Sequence, residues 1–421
     1  MKTTKLLFAA TLAVLGLSHF ASAQTAIYLS GAPATRKIWN LAIQDLLAAN
    51  SGGAGNLKEY WVGSSGTAGY AVANQTVITG GTYNSTAVTI YTDWSGSTGG
   101  NQSVAINPPA SNSALKIKYL NLADLTSGTG NGGSSAYTLG TDNEQYPNIN
   151  LSDTQQATIP FNGHVTITNP ATNYTALTEA TPNSPAVTGF EFVTNNGAPS
   201  DLTNIDSNAA QYLFTESPVP LALLTGSASD TGINVYAVGR DIASGARYAT
   251  LAETGIGIAN STDLYQWEPT ITSGTIQPIT SANAAASGTI NLISFSTGNG
   301  GYSSFTPVLS VLEAVSNNTT GYVVTYVTDS DAATAVAGGA KALTWNGVAY
   351  SPSAIELGNY TYWTYLHVFY NGSVFASGSL QANFANGLSN QLATDTNTGA
   401  ILSSNVQVTR YTDGGLITPN Y

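Results

Sequence analysis

Ile233-Asn234-Val235-Tyr236-Ala237-Val238, then Gly239-Arg240-Asp241-Ile242-Ala243-Ser244, then Gly245 to Glu253, is the stretch whose reading decides the fold. The first six residues alternate like a strand, the next six are a small-residue loop, and the last nine have helical spacing and stop at Gly255. Working outward, the same form recurs at the start of the chain. Ala26-Ile27-Tyr28-Leu29 reads as a strand and Ser30-Gly31-Ala32-Pro33 as a turn; Ala34 to Ala49 is a helix with Ile38, Leu41, Ala42 and Leu46 on one face. A third helix is expected over Ser304 to Val315, its apolar face made by Val308, Val311, Leu312 and Val315. Strand–turn–helix units among many short strands predict an α/β protein with a sheet in each of two lobes.

Composition narrows what such a fold can do. The 421 residues are 42% hydrophobic but only 8% charged, with 43 glycines and 23 tyrosines, so cores form and hydroxyls and amides cover the surface. The net charge of −12 excludes nucleic acid as a partner, because phosphate backbones need clustered cations. Lys2 and Lys5, the apolar run Leu6 to Leu17 and Ala21-Ser22-Ala23 read as a secretory signal over 1–23. That run is shorter than the about 20 residues of a membrane span, so export to a periplasm or the exterior is expected, with no membrane insertion. Cysteine is absent, which removes disulfides, thiolate nucleophiles and thiolate metal sites. Residues 101–187, rich in Asn, Thr, Ser and Gly and without a convincing helix, read as a β-rich insertion.

The inventory for catalysis is thin. Past the signal only His164 and His367 remain, both on strand-like stretches and neither with a partner at metal-ligand spacing. No G-x-S-x-G elbow stands at a strand–helix junction. The small-residue turns offer more: Ser30 to Arg36, Ser95 to Gly100 and Ser244 to Arg247 each place backbone amides and hydroxyls at a helix start, where free N–H groups and the helix dipole hold oxyanions. Arg36 lies by the first turn, and Arg240 and Arg247 flank the third; a guanidinium can grip two oxygens of one anion.

In these residues the chain resembles the phosphate-binding periplasmic component of ABC transporters. The likeness runs through the opening Ile27 to Ile43, then Val88-Thr89-Ile90-Tyr91 with Trp94 to Gly100, and the Arg-x-x-x-Ser-Gly of Arg240 to Gly245. It continues through Gly300 to Ser304, Gly321 to Val324, Asp329 to Ala332, Asn346 to Ala349 and Ile355 to Tyr360, covering about 24–100 and 188–380. Ile242 departs from the acidic residue the family often carries two places after the arginine.

The resemblance implies a two-lobed type II periplasmic-binding-protein fold. Lobe one would be 24–222 with 346–421, carrying the insertion, and lobe two 223–345. It implies a site in which Ala34 and Thr35, then Ser97, Thr98 and Gly99, then Arg240, Ser244, Gly245 and Ala246 donate to phosphate or a similar oxyanion. Asp201, in Asn196-Gly197-Ala198-Pro199-Ser200-Asp201, would accept the anion's proton. No cofactor and no catalysis are implied, and an ABC permease is the expected partner. The alternative is a cell-surface or matrix protein that reuses the fold; an exported hydrolase is the remaining rival.

Overall fold

The computed structural model describes residues 24–62, 69–106, 115–122, 143–159, 177–257, 263–279, 289–291 and 301–420. The signal expected at 1–23 and His164 fall outside them.

Ten strands form the main path of one continuous, 13-stranded mixed sheet. They are β1 (Thr25–Gly31), β2 (Lys58–Val62), β3 (Gln75–Tyr83), β4 (Thr86–Asp93), β5 (Ile149–Ser152), β6 (Ala186–Thr194), β7 (Val219–Pro220), β8 (Asn234–Ala237), β9 (Tyr322–Thr328) and β10 (Trp363–Tyr370), in the spatial order β7-β8-β9-β6-β10-β5-β1-β4-β3-β2. β1 runs parallel to β4 and β5, and β8 parallel to β9, as strands fed by crossover helices do. Nine helices flank it: α1 (Arg36–Asn50), α2 (Ser97–Ala105), α3 (Ser207–Glu216), α4 (Ala222–Thr225), α5 (Gly245–Glu253), α6 (Phe305–Glu313), α7 (Asp329–Ala337), α8 (Pro352–Glu356) and α9 (Leu380–Thr394), counted among the described residues. The architecture is α/β, as the strand–turn–helix pattern predicts, but the separate sheets expected for two lobes are joined into one.

Two strands join the halves. β6 pairs through Phe190 to Thr194 with β9 and through Ala186 to Gly189 with β10. β10 in turn pairs through His367 to Tyr370 with β5. Each strand thus has one end in each half, and the core divides accordingly. One core gathers Ile27, Leu29, Trp39, Ile43, Ile90, Leu151, Phe384 and Leu388; the other gathers Phe192, Leu213, Phe214, Val235, Tyr248, Val324 and Trp345.

Leu202 to Leu221 pack in the second core, so the division expected at 222/223 and 345/346 is not where the packing changes. The physical reason is that the change of half occurs within β6 and β10, which are buried almost from end to end and carry no turn or linker that would signal a boundary. The stretch 101–187 is likewise more than an insertion. It holds β5, a buried strand between β1 and β10, and the last turns of α2, which run to Ala105. Gly99, Gly100, Asn101 and Ser103 are poor helix formers. Burial holds them instead: Asn150 Nδ2 donates to the Ser97 carbonyl at 2.9 Å and to Asn101 Oδ1 at 2.9 Å. α6 ends at Glu313, and Val315, expected on its apolar face, is exposed beyond it with its N–H on the Gly274 carbonyl.

Candidate functional site

The helix starts fall into two groups. Asp206, Ser351 and Ser379 cap α3, α8 and α9, accepting from the N–H of Ala209, Ala354 and Ala382. The starts of α1, α2, α5, α6 and α7, and of the one-turn α4, have no side-chain cap. Uncapped starts leave N–H groups without a side-chain acceptor at the positive end of a dipole, and in this chain those of the five longer helices meet. Gly96 N–H donates to the Gly31 carbonyl at 2.9 Å and Ser95 Oγ shares a hydrogen bond with Ser30 Oγ at 2.9 Å, setting the turn before α2 beside the turn before α1. Thr98 and Gly99 N–H both reach the Ala243 carbonyl, at 3.1 and 3.4 Å, which brings α2 from the first half against α5 from the second. A Cβ at Gly245 would overlap Asp153 Oδ1 and Ser97, so only glycine allows this approach.

Arg240 anchors the α6 side. It is 2% exposed; Nε donates to the Tyr302 carbonyl at 2.9 Å and Nη2 to the Ser303 carbonyl at 3.2 Å, while Nη1 has no acceptor among the described residues. Arg36 is held from the other side by the carbonyls of Val72 (2.8 Å) and Pro33 (2.6 Å). Two carboxylates lie within the field of these guanidiniums. Asp331, in the first turn of α7, is pushed up to about 6 by burial, against the pull of Arg36 and Arg240. Asp153, just past β5, is pushed up to about 6 by burial, opposed by Ser97 and Arg240. Ser97 Oγ donates to Asp153 Oδ1 at 2.5 Å and accepts from Asp153 N–H at 3.0 Å. Thr35 Oγ1, Thr98 Oγ1 and Asp331 Oδ2 are among the buried polar atoms that have no hydrogen-bond partner among the described residues.

Chemically, such a cluster supplies donors for oxyanion oxygens and two poised carboxylates to accept a hydroxyl proton. Among the described residues, no group of three or more His, Asp or Glu side chains could hold a metal ion. His367 is buried on β10 and bonded through Nδ1 to Glu179 at 2.7 Å.

The structure gathers Ser97, Thr98, Gly99, Arg240, Ser244, Gly245 and Ala246 around one seam, with Ala34 and Thr35 on the adjoining turn, which lies against β9. Asp201 is not there. It is exposed, and its charge acts on Lys341, whose Nζ donates to the carbonyls of Pro199 and Ser200. The carboxylates that do stand at the seam, Asp153 and Asp331, escape the sequence reading. For Asp153 a signal exists: Ile149-Asn150-Leu151-Ser152-Asp153 is an alternating strand ending in a polar turn, the form of the other two site turns. Two expected donors are also spoken for, since Thr98 and Gly99 N–H are satisfied by Ala243.

The chain resembles solved phosphate-binding proteins. An ABC-type phosphate transport receptor from Vibrio cholerae is 11% identical with a TM-score of 0.44, covering 89% of this chain and 99% of that one. A phosphate-binding protein from Stenotrophomonas maltophilia is 14% identical with a TM-score of 0.39, covering 83% and 79%. PstS from Borrelia burgdorferi is 12% identical with a TM-score of 0.34, covering 83% and 87%. No family model matches the sequence, and no curated protein matches it. At these identities and TM-scores neither residues nor ligands transfer, and the function rests on the chain's own geometry.

Proposed function

We propose that this chain is an exported solute-binding protein that holds a small tetrahedral oxyanion, phosphate first, at the seam between its two halves, and passes it to an ABC-type importer. The observation that carries this reading is the meeting of five uncapped helix starts with Arg36 and Arg240 around two buried carboxylates. Helix starts and guanidiniums favour an anion; Asp153 and Asp331 disfavour one that is fully ionised. An anion that brings its own proton satisfies both demands, because its O–H donates to a carboxylate while its other oxygens accept. Phosphate meets this condition near neutrality and sulfate does not.

Isothermal titration of the purified protein with phosphate and sulfate tests the proposal. Phosphate is expected to bind at micromolar concentration and sulfate at least 100-fold more weakly at pH 7.5. Asp153→Asn should narrow that gap. Acidification through pH 6 should strengthen sulfate binding, by at most about tenfold per pH unit for one coupled proton. Equal affinities, or no binding of either anion, would overturn it.

One observation favours a second reading, a cell-surface or matrix protein that reuses the fold. The Ala243 carbonyl already satisfies Thr98 and Gly99 N–H without any guest. Under that reading no small oxyanion raises the melting temperature.

A further inference from the structure

A second depression lies on the opposite face of the central strands from Asp153. Along β10 the side chains alternate: Thr364 Oγ1 donates to the Asp153 carbonyl at 2.5 Å, toward the seam, whereas the next residue, Tyr365, points the other way, its hydroxyl 3.1 Å from Thr409 Oγ1. Around Tyr365 the chain builds a cavity of about 340 Å³, lined also by Gln155, Asn183, Ser184, Thr409 and Asn420. Its volume falls at the small end of the range for ligand sites, roughly 300–1,000 Å³.

The lining specifies the chemistry. Its one charged member, Arg410, is occupied through both terminal nitrogens: Nη1 donates to Glu253 Oε2 at 3.1 Å and to the Trp363 carbonyl at 2.9 Å, Nη2 to the Thr361 carbonyl at 2.5 Å, and its guanidinium stacks on the Trp363 ring at 4.4 Å, while Nε, without a partner among the described residues, is buried out of reach of a guest. An anionic guest would therefore gain little there. What remains is amides, hydroxyls, one aromatic ring and the aliphatic side chain of Val408. Asn420 Nδ2 is bonded to the carbonyls of Val406 and Val408, and Gln155 Nε2 to that of Tyr411. Both amide oxygens are left as acceptors with no donor among the described residues. Acceptors at the rim of a half-buried tyrosine ring match vicinal hydroxyls around the C–H face of a sugar.

We propose that this cavity is a second binding site, for a neutral pyranose, separate from the oxyanion seam and independent of whether that seam binds phosphate.

The test is saturation-transfer difference NMR on the purified full-length protein with D-glucose, D-galactose, D-mannose, N-acetyl-D-glucosamine and D-glucuronate. At least one neutral pyranose should receive saturation on its ring C–H protons, with millimolar affinity. Tyr365→Leu, which keeps bulk and removes the ring, should weaken that sugar at least tenfold. Asn183→Ala, at an exposed position, should weaken it several-fold and serves if the first variant does not fold. Phosphate titration should be unchanged in both. No transfer to any of the neutral sugars, transfer that both variants leave untouched, or glucuronate binding more tightly than the neutral sugars would overturn the proposal.

Discussion

Gly245 and Arg240 show how much a single residue decides. Because a Cβ at 245 would run into Asp153 and Ser97, Gly245→Ala has to push the two halves apart. Overpacking of this kind costs about 1–3 kcal/mol, so urea denaturation should show a loss of that size, with phosphate affinity falling alongside. Arg240 has two parts to its role: Nε and Nη2 tie down Tyr302 and Ser303, while its charge reaches Asp153 and Asp331. Arg240→Ala is therefore expected to abolish phosphate heat in calorimetry and also to cost about 1–3 kcal/mol through the carbonyls left unsatisfied. Undiminished phosphate binding in that variant would move the site elsewhere. Arg240, Ser244 and Gly245 were legible in the sequence because their grouping is local, within one loop. Asp153 was not, because it meets Ser97 only after the chain between them has folded and β5 has slotted beside β1.

Elements were legible wherever their pattern was self-contained. α1, α5 and α6 have apolar residues at helical spacing and are found close to their expected bounds. α2 was not legible beyond its first turn, since its helix rests on buried amides rather than on propensity. α9 went unread in the C-terminal stretch. Yet it fills the first core: Phe384 is fully buried there, its ring 5.2 Å from that of Tyr83 in an edge-on contact. Phe384→Ala is expected to cost about 3–5 kcal/mol, read as a lower urea midpoint. A loss under 1 kcal/mol would mean that α9 is dispensable to the core.

The whole molecule has a pH signature. Burial raises Asp93, Asp153 and Asp331 to about 6 and Glu191 to about 7, above their ordinary values of 3.8 and 4.5. A carboxyl that is harder to ionise in the folded chain than in the unfolded one leaves stability intact while both states hold the proton. Stability is then lost as pH rises from the ordinary value through the folded one. Melting temperature should accordingly be highest near pH 4 and fall toward pH 7, and Glu191→Gln should flatten the upper part of that fall. Glu179, lowered by its bond to His367, acts with the opposite sign and only at more acid pH. A profile that rises from pH 4 to pH 7 would contradict this account.

On the proposed reading, the pair of main-chain bonds from Thr98 and Gly99 to Ala243 also has a kinetic consequence. A guest that enters between α2 and α5 has to break that latch, so capture waits for it to spring. In stopped-flow mixing, the observed rate should climb with phosphate concentration and then level off at the latch's own opening frequency, a microsecond-to-millisecond event by the usual scale of such motions. Speed of uptake, unlike affinity, would then be set by a doorway and not by the room behind it.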